Sequence, residues 1–299
     1  MLSNLTPRQA IAGAAFTSLI MGGFIVISRF GVRDIITPAD LTFFRYLSGL
    51  VLLPIFLKRP VRNLGGVGWT KGIFLTITAG WVFNMLLMSG FHFAPASHGA
   101  VFGPGTMPTF TVLLSWLILG DKLTPWRIAG LAVIFVGLIM LGGGGFFESA
   151  PDAWKGDLLF ASAALCWAGF AVGMRKWNID PLYGISLVAV LSLISFTPIY
   201  FGLFEPAFGR VPWPDLLLQL FYQCILVGTV AVTLFTISIP VIGPGRTALF
   251  MVLVPVFGTL LAIPFLGEVP GVLEISGIVI VICGLFAAMG VAPKLSNKN

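Results

Sequence analysis

The sequence predicts an all-α integral membrane protein of ten transmembrane helices in two inverted five-helix repeats, and three observations point there. Of the 299 residues, 58% are hydrophobic and only 9% charged, whereas a soluble domain carries about 25% charged residues. The apolar residues fall into about ten runs near the ~20 residues that a bilayer-crossing helix needs. Residues 108–140 align without a gap on 255–287, placing Pro108 on Pro255, Leu119-Gly120-Asp121 on Leu266-Gly267-Glu268, Gly130 on Gly277 and Gly137 on Gly284. Lys122 and Arg127 follow the first acidic turn, while Glu274 and no base follow the second. That charge difference orients the two copies oppositely in a membrane, the plan of a carrier that alternates between two faces.

The runs follow one another with clear punctuation. The first, 9–30, begins after Arg8 and reaches Ile27. It exceeds the ~7–15-residue core of a cleaved signal and reads as a retained span. Thr37-Pro38 opens the second, 39–57, and Lys58-Arg59-Pro60 closes it. The third, 70–92, follows Gly65-Gly66 and stops at Ala94-Pro95; the fourth, 97–119, ends at the acidic turn, and these two are expected to pair as a hairpin. The fifth, 125–146, runs into the glycines at 142–145, a seam dividing the chain into repeats 1–147 and 148–299. The second half gives 156–176, 183–204, 216–240, 245–266 and 271–291. Phe24, Arg29 and Asp34 fall on Phe170, Arg175 and Asp180 at one constant offset, so the first helices of the halves also match.

Basic residues set the orientation. With the N-terminus inside, the inner loops hold Arg8, Lys58, Arg59, Arg62, Lys71, Lys122, Arg127, Arg175, Lys176, Arg246, Lys294 and Lys298. The outer loops hold Arg29, Arg33, Lys155 and Arg210, which puts both termini in the cytoplasm of an inner-membrane protein. Scattered in short loops, these bases form no stripe for nucleic acid. Cys166, Cys224 and Cys283 sit in apolar runs and read as small buried hydrophobes. No spacing suggests a metal site, disulfide, nucleotide loop or other cofactor.

Candidate substrate contacts lie on inward helix faces. Trp81, Asn84, Met85 and Met88 recur at helical spacing in the third run, and His98, Phe102, Thr106 and Thr109 in the fourth. Tyr222, Gln223, Thr229, Thr233 and Thr236 on the eighth, with Arg246 and Phe250 on the ninth, face the same question. Polar groups in hydrocarbon are costly unless paired or in a wet cavity, although membrane Ser and Thr also bond their own backbone. Arg45 is the one base inside a span; it either bonds carbonyls and loop acids or meets a substrate carboxylate. Pro104, Pro108 and Pro255 are expected to break helices and act as hinges. Every Asp and Glu falls in a loop or at a helix end. Coupled carriers commonly use mid-span carboxylates, so transport is expected to run downhill or to couple weakly through His92 or His98.

The ten-run plan, the duplicated Leu-Gly-acidic turn, Trp167-Ala168-Gly169-Phe170 and Phe43-Phe44-Arg45-Tyr46 resemble the drug/metabolite transporter superfamily, in its bacterial branch with two EamA domains. The resemblance covers nearly the whole chain. It implies export of small metabolites, amino acids commonly among them, with aromatic amino acid exporters as one branch. The expected partners are a small-molecule substrate and the lipid bilayer, with the protein a monomer or a loose homodimer. A channel or non-transporting receptor is the competing reading. An enzyme would need a nucleophile–base pair or a buried carboxylate pair, and neither is evident.

Overall fold

A chain this apolar can satisfy its backbone polar groups in lipid only by closing them within helices. The computed structural model describes residues 5–29, 36–94, 102–103, 105–142, 151–206, 208, 211–266 and 271–289. Among these, every regular element is helical. Six helical runs are long and apolar enough to cross a membrane: Pro38–Phe56, Trp69–Phe93, Ala153–Lys176, Pro181–Leu203, Trp213–Ile242 and Pro244–Phe265. Met107–Leu119, Pro125–Met140 and Val272–Ala288 are shorter apolar helices. His98, Pro104, Gly267, Glu268, Asp34 and most of the glycine seam lie outside the described residues.

The helices are α1 (Pro7–Arg29), α2 (Pro38–Tyr46), α3 (Ser48–Phe56), α4 (Trp69–Ala79), α5 (Trp81–Phe93), α6 (Met107–Leu119) and α7 (Pro125–Gly142). They continue with α8 (Ala153–Lys176), α9 (Pro181–Leu203), α10 (Trp213–Leu220), α11 (Val232–Ile242), α12 (Pro244–Leu249), α13 (Leu253–Leu266) and α14 (Val272–Ala288). Several expected spans are broken. The third breaks at Gly80, whose φ of −91° and ψ of −152° end α4, and a Cβ there would lie 2.1 Å from Thr76 O. The break frees carbonyls, and the Tyr46 hydroxyl donates to Ala79 O at 2.8 Å. The second span turns at Leu47, between α2 and α3. The eighth carries a π-helical stretch, Phe221–Ala231, and the ninth a 3-10 turn, Phe250–Val252.

Small residues set how the helices pack. In a membrane no hydrophobic force joins helices, so close backbone approach at glycine replaces it. α7 crosses α14 where the repeated glycines lie: a Cβ at Gly137 would stand 3.0 Å from Gly277 O, and one at Gly284 would stand 2.9 Å from Gly130 O. α1 meets α13 at Gly22, and α3 meets α9 at Gly49, each against backbone. The expected hairpin of the third and fourth spans gives way to a different arrangement, because α5 and α6 each pack on α8. Gly90 of α5 and Gly156 of α8 allow the first of those contacts. The repeated Leu119-Gly120-Asp121 turn has a conformational reason: Gly120 caps α6 at φ 71°, where a side chain is strained.

Cys166 and Cys224 are only half-buried, and Cys283 on α14 is exposed, against the expectation of buried cysteines. Trp69, Trp116, Trp126, Trp154 and Trp213 are exposed near helix ends, whereas Trp177 packs edge-on against Phe74.

Candidate functional site

The helix breaks converge on one cavity. Its empty space, mouth included, is about 1090 Å³. Residues before the seam supply Met21, Phe24, Arg45, Phe83, Met88 and Met107; those after it supply Trp167, Phe170, Val188, Gly228, Met251 and Val254. The wall is aromatic and thioether carbon, with Trp167 tilted on Phe83 at 5.0 Å and on Phe235 at 5.2 Å. Flexible Met side chains suit such a wall to apolar bodies of varied shape.

Arg45 breaks this apolar pattern. It lies on α2 and is only 6% exposed. Its Nη1 donates to Asn84 Oδ1, and its Nε donates to Gln223 Oε1 at 3.3 Å. Its guanidinium carbon stands 5.6 Å from the Phe24 ring centre, a cation–π contact. Asn84 is fixed in turn, its Nδ2 donating to Thr42 Oγ1 at 2.7 Å while Thr42 Oγ1 donates to Pro38 O at 2.7 Å. Both hydrogen-bond partners of Arg45 are neutral amides, and among the described residues no carboxylate pairs with it. The one buried acid of this region, Asp40, accepts from the Thr37 backbone N–H at 2.8 Å and from the Tyr200 hydroxyl at 2.5 Å.

The π-helical stretch positions the far side. Gln223 and Gly228 lie five residues apart, one step of i→i+5 bonding, and so share a face toward α2. A Cβ at Gly228 would meet Arg45 O at 2.6 Å. Glycine therefore lets the two backbones touch and brings Gln223 within reach of the guanidinium.

Several expected contact residues take other places. Met88 lines the cavity, and Asn84 reaches it through Arg45. Trp81 stacks on Phe196 at 5.3 Å and donates from Nε1 to Ser195 Oγ, with Met85 packed beside it. Tyr222 donates its hydroxyl to Ile20 O at 2.7 Å. Phe250 is buried, and Ser18 Oγ donates to its carbonyl. Phe102 packs between two smaller hydrophobic clusters. Arg246 is exposed at the bundle end that also carries Arg127. His98 lies outside the described residues. Thr106, just before α6, bonds Phe102 O; Thr229, Thr233 and Thr236 bond back to their own helical stretches, and Thr109 is exposed. Pro108 stands in the first turn of α6, where no helical hydrogen bond is lost, whereas Pro255 follows directly on the 3-10 turn Phe250–Val252 inside the helical run Pro244–Phe265.

Trp167 and Phe170 are wall residues that periodicity did not single out; the signal was their place in the Trp-Ala-Gly-Phe stretch. At one end of the bundle, two ion pairs join residues from before and after the seam. Arg175 Nη1 meets Asp121 Oδ2 at 2.7 Å, and Arg59 Nη2 meets Asp180 Oδ2 at 3.5 Å.

Comparison with known proteins agrees with this architecture. The model of the EamA-like transporter family matches twice, over residues 8–143 and 154–290. An uncharacterized transporter, YyaM, of Bacillus subtilis is 27% identical over 73% of this chain and 72% of its own length. The aromatic amino acid exporter YddG of Ancylobacter novellus is 26% identical over 82% of this chain and 89% of its own. A solved crystal structure, 19% identical, superposes with a TM-score of 0.78 over 97% of this chain and 100% of that one, which shows a shared fold. Multiple apolar helices and relatives named as transporters make this a multi-pass membrane transporter. The chain belongs to the EamA-like transporter family.

Proposed function

We propose that this protein exports small organic metabolites, amino acids or related amphipathic compounds, by alternating access through the central cavity. The observation that carries the reading is a single cavity whose wall is shared between residues before and after the seam. Relative movement of two such halves changes which side of the membrane the cavity meets. The duplicated acidic turn and its opposite flanking charge support two inverted five-helix repeats, and the bias of basic loops supports cytoplasmic termini. On that orientation the Asp121–Arg175 and Arg59–Asp180 pairs hold the cytoplasmic end together and separate when the cavity opens there. The relative named as an aromatic amino acid exporter supports amphipathic cargo.

Counterflow in proteoliposomes tests the reading. Vesicles holding the purified protein are preloaded with an unlabelled amino acid mixture and offered trace labelled phenylalanine or threonine. Uptake that saturates and is competed by its own cold form is expected of a carrier. Flux that rises linearly with concentration and shows no trans-stimulation would favour a channel instead.

A further inference from the structure

The cavity and its surround hold more hydrogen-bond donors than they use. Arg45 offers its Nε and Nη1 protons to Gln223 and Asn84, while Nη2 takes no hydrogen-bond partner among the described residues. Gln223 spends its oxygen on Arg45, which leaves its Nε2 amide without a partner. Trp167, in the wall, carries an indole N–H that also lacks one. Burying a cation and unpaired donors costs free energy unless something accepts from them. Among the described residues no carboxylate lines the cavity, so a second positive charge would meet the guanidinium's repulsion with no anion to offset it.

We propose that Arg45 is the recognition element of the cavity and that the substrate is an organic monocarboxylate with an apolar body. Its carboxylate accepts from Arg45 Nη2, flanked by the Gln223 amide, and its body lies against Phe83, Trp167 and Met88. A guanidinium suits this task because it stays charged and presents several donors in a fixed plane. One fixed cation in an apolar wall matches one negative charge, which disfavours a phosphate dianion. An ammonium group would find no carboxylate partner among the described lining residues and would be repelled by Arg45, so an acid lacking one is favoured over the matching amino acid. This inference rests on the carrier reading and narrows its cargo.

The test uses four probes that share a phenyl ring: 3-phenylpropionate, phenylalanine, phenethylamine and 3-phenylpropanol. Binding to the purified full-length protein is measured by calorimetric titration at neutral pH. 3-Phenylpropionate is expected to bind about ten- to a hundredfold more tightly than the amine or the alcohol, the range of a charge-assisted hydrogen bond, and more tightly than phenylalanine. Arg45→Gln should erase the preference and Arg45→Lys should keep part of it. If Arg45→Gln does not fold, the ranking of the four probes on the native protein decides. Equal affinities, no binding of the acid, tighter binding of phenylalanine, or an unchanged preference in Arg45→Gln would each overturn the proposal. Counterflow of 3-phenylpropionate separates this from the carrier reading. Binding without counterflow removes the carrier and leaves the site, whereas counterflow of other metabolites without the preference does the reverse.

Discussion

Asn84→Asp puts the role of Arg45 to a quantitative test, because it adds a charge with almost no change of shape, at the cost of the Nδ2–H that Thr42 Oγ1 accepts. The native guanidinium is met by neutral oxygens from Asn84 and Gln223. A carboxylate at position 84 would lie at hydrogen-bond distance from Nη1. Two unit charges about 3 Å apart attract by roughly 5 kcal/mol at an effective dielectric near ~20. Removing a new carboxylate from water and losing the hydrogen bond to Thr42 together cost several kcal/mol, so the terms largely cancel and stability should stay within about 2 kcal/mol of the native protein. Binding has no such compensation, because an internal anion now occupies the cation, and counterflow of an acidic substrate should fall by about tenfold or more. Asn84→Ala supplies the contrast. It strips the guanidinium of one of its two acceptors, which should cost about 1.5–3 kcal/mol, yet leaves the charge free for a ligand. The assays are thermal unfolding in detergent and counterflow of 3-phenylpropionate. The two variants should rank oppositely: Asp the more stable, Ala the better carrier. Native counterflow in Asn84→Asp would refute the reasoning, since an anion on Arg45 would then be compatible with transport.

Further expectations follow from packing and from the ion pairs. Gly130→Ala places its Cβ 2.3 Å from Ala288 N, a backbone atom that cannot rotate away, so α7 and α14 must part. The net loss in detergent unfolding should be about 1–2 kcal/mol after the helix-propensity gain of alanine. Gly13→Ala meets nothing nearer than Leu234 Cδ2 at 3.6 Å and should cost nothing; an equal loss at both sites would contradict the close-approach account. Asp121→Asn breaks a pair whose side chains are 26% and 39% exposed, so its worth is at most about 1 kcal/mol. That corresponds to roughly a fivefold shift in the balance of conformations, read by thiol labelling of a cysteine placed at Met174 near this end, and the shift should reverse in the charge-swapped pair Asp121→Arg with Arg175→Asp. Gly228→Ala should weaken both stability and anion binding, because its methyl would push the π-helical stretch off Arg45 O; retained binding would detach that stretch from the site.

The sequence by itself determined class and parts. Composition and run length dictate membrane helices, since apolar runs of that length have nowhere else to satisfy their backbone. The chain punctuation located most helix ends to within a few residues, and the duplicated glycines at 130, 137, 277 and 284 were visible before their purpose was. Arg45 was legible as a costly residue inside a span. Its partners were not, because Asn84 and Gln223 lie 39 and 178 residues away along the chain. Helical spacing placed Trp81, Asn84 and Met88 on one face, but Trp81 stacks on Phe196, Asn84 bonds Arg45 and Met88 lines the cavity. Periodicity reports which face of a helix is distinct, not what stands opposite it. The tertiary structure alone decided that the breaks, the π-helical stretch and two apolar walls meet around one cation, because that depends on close backbone contacts made at single glycines.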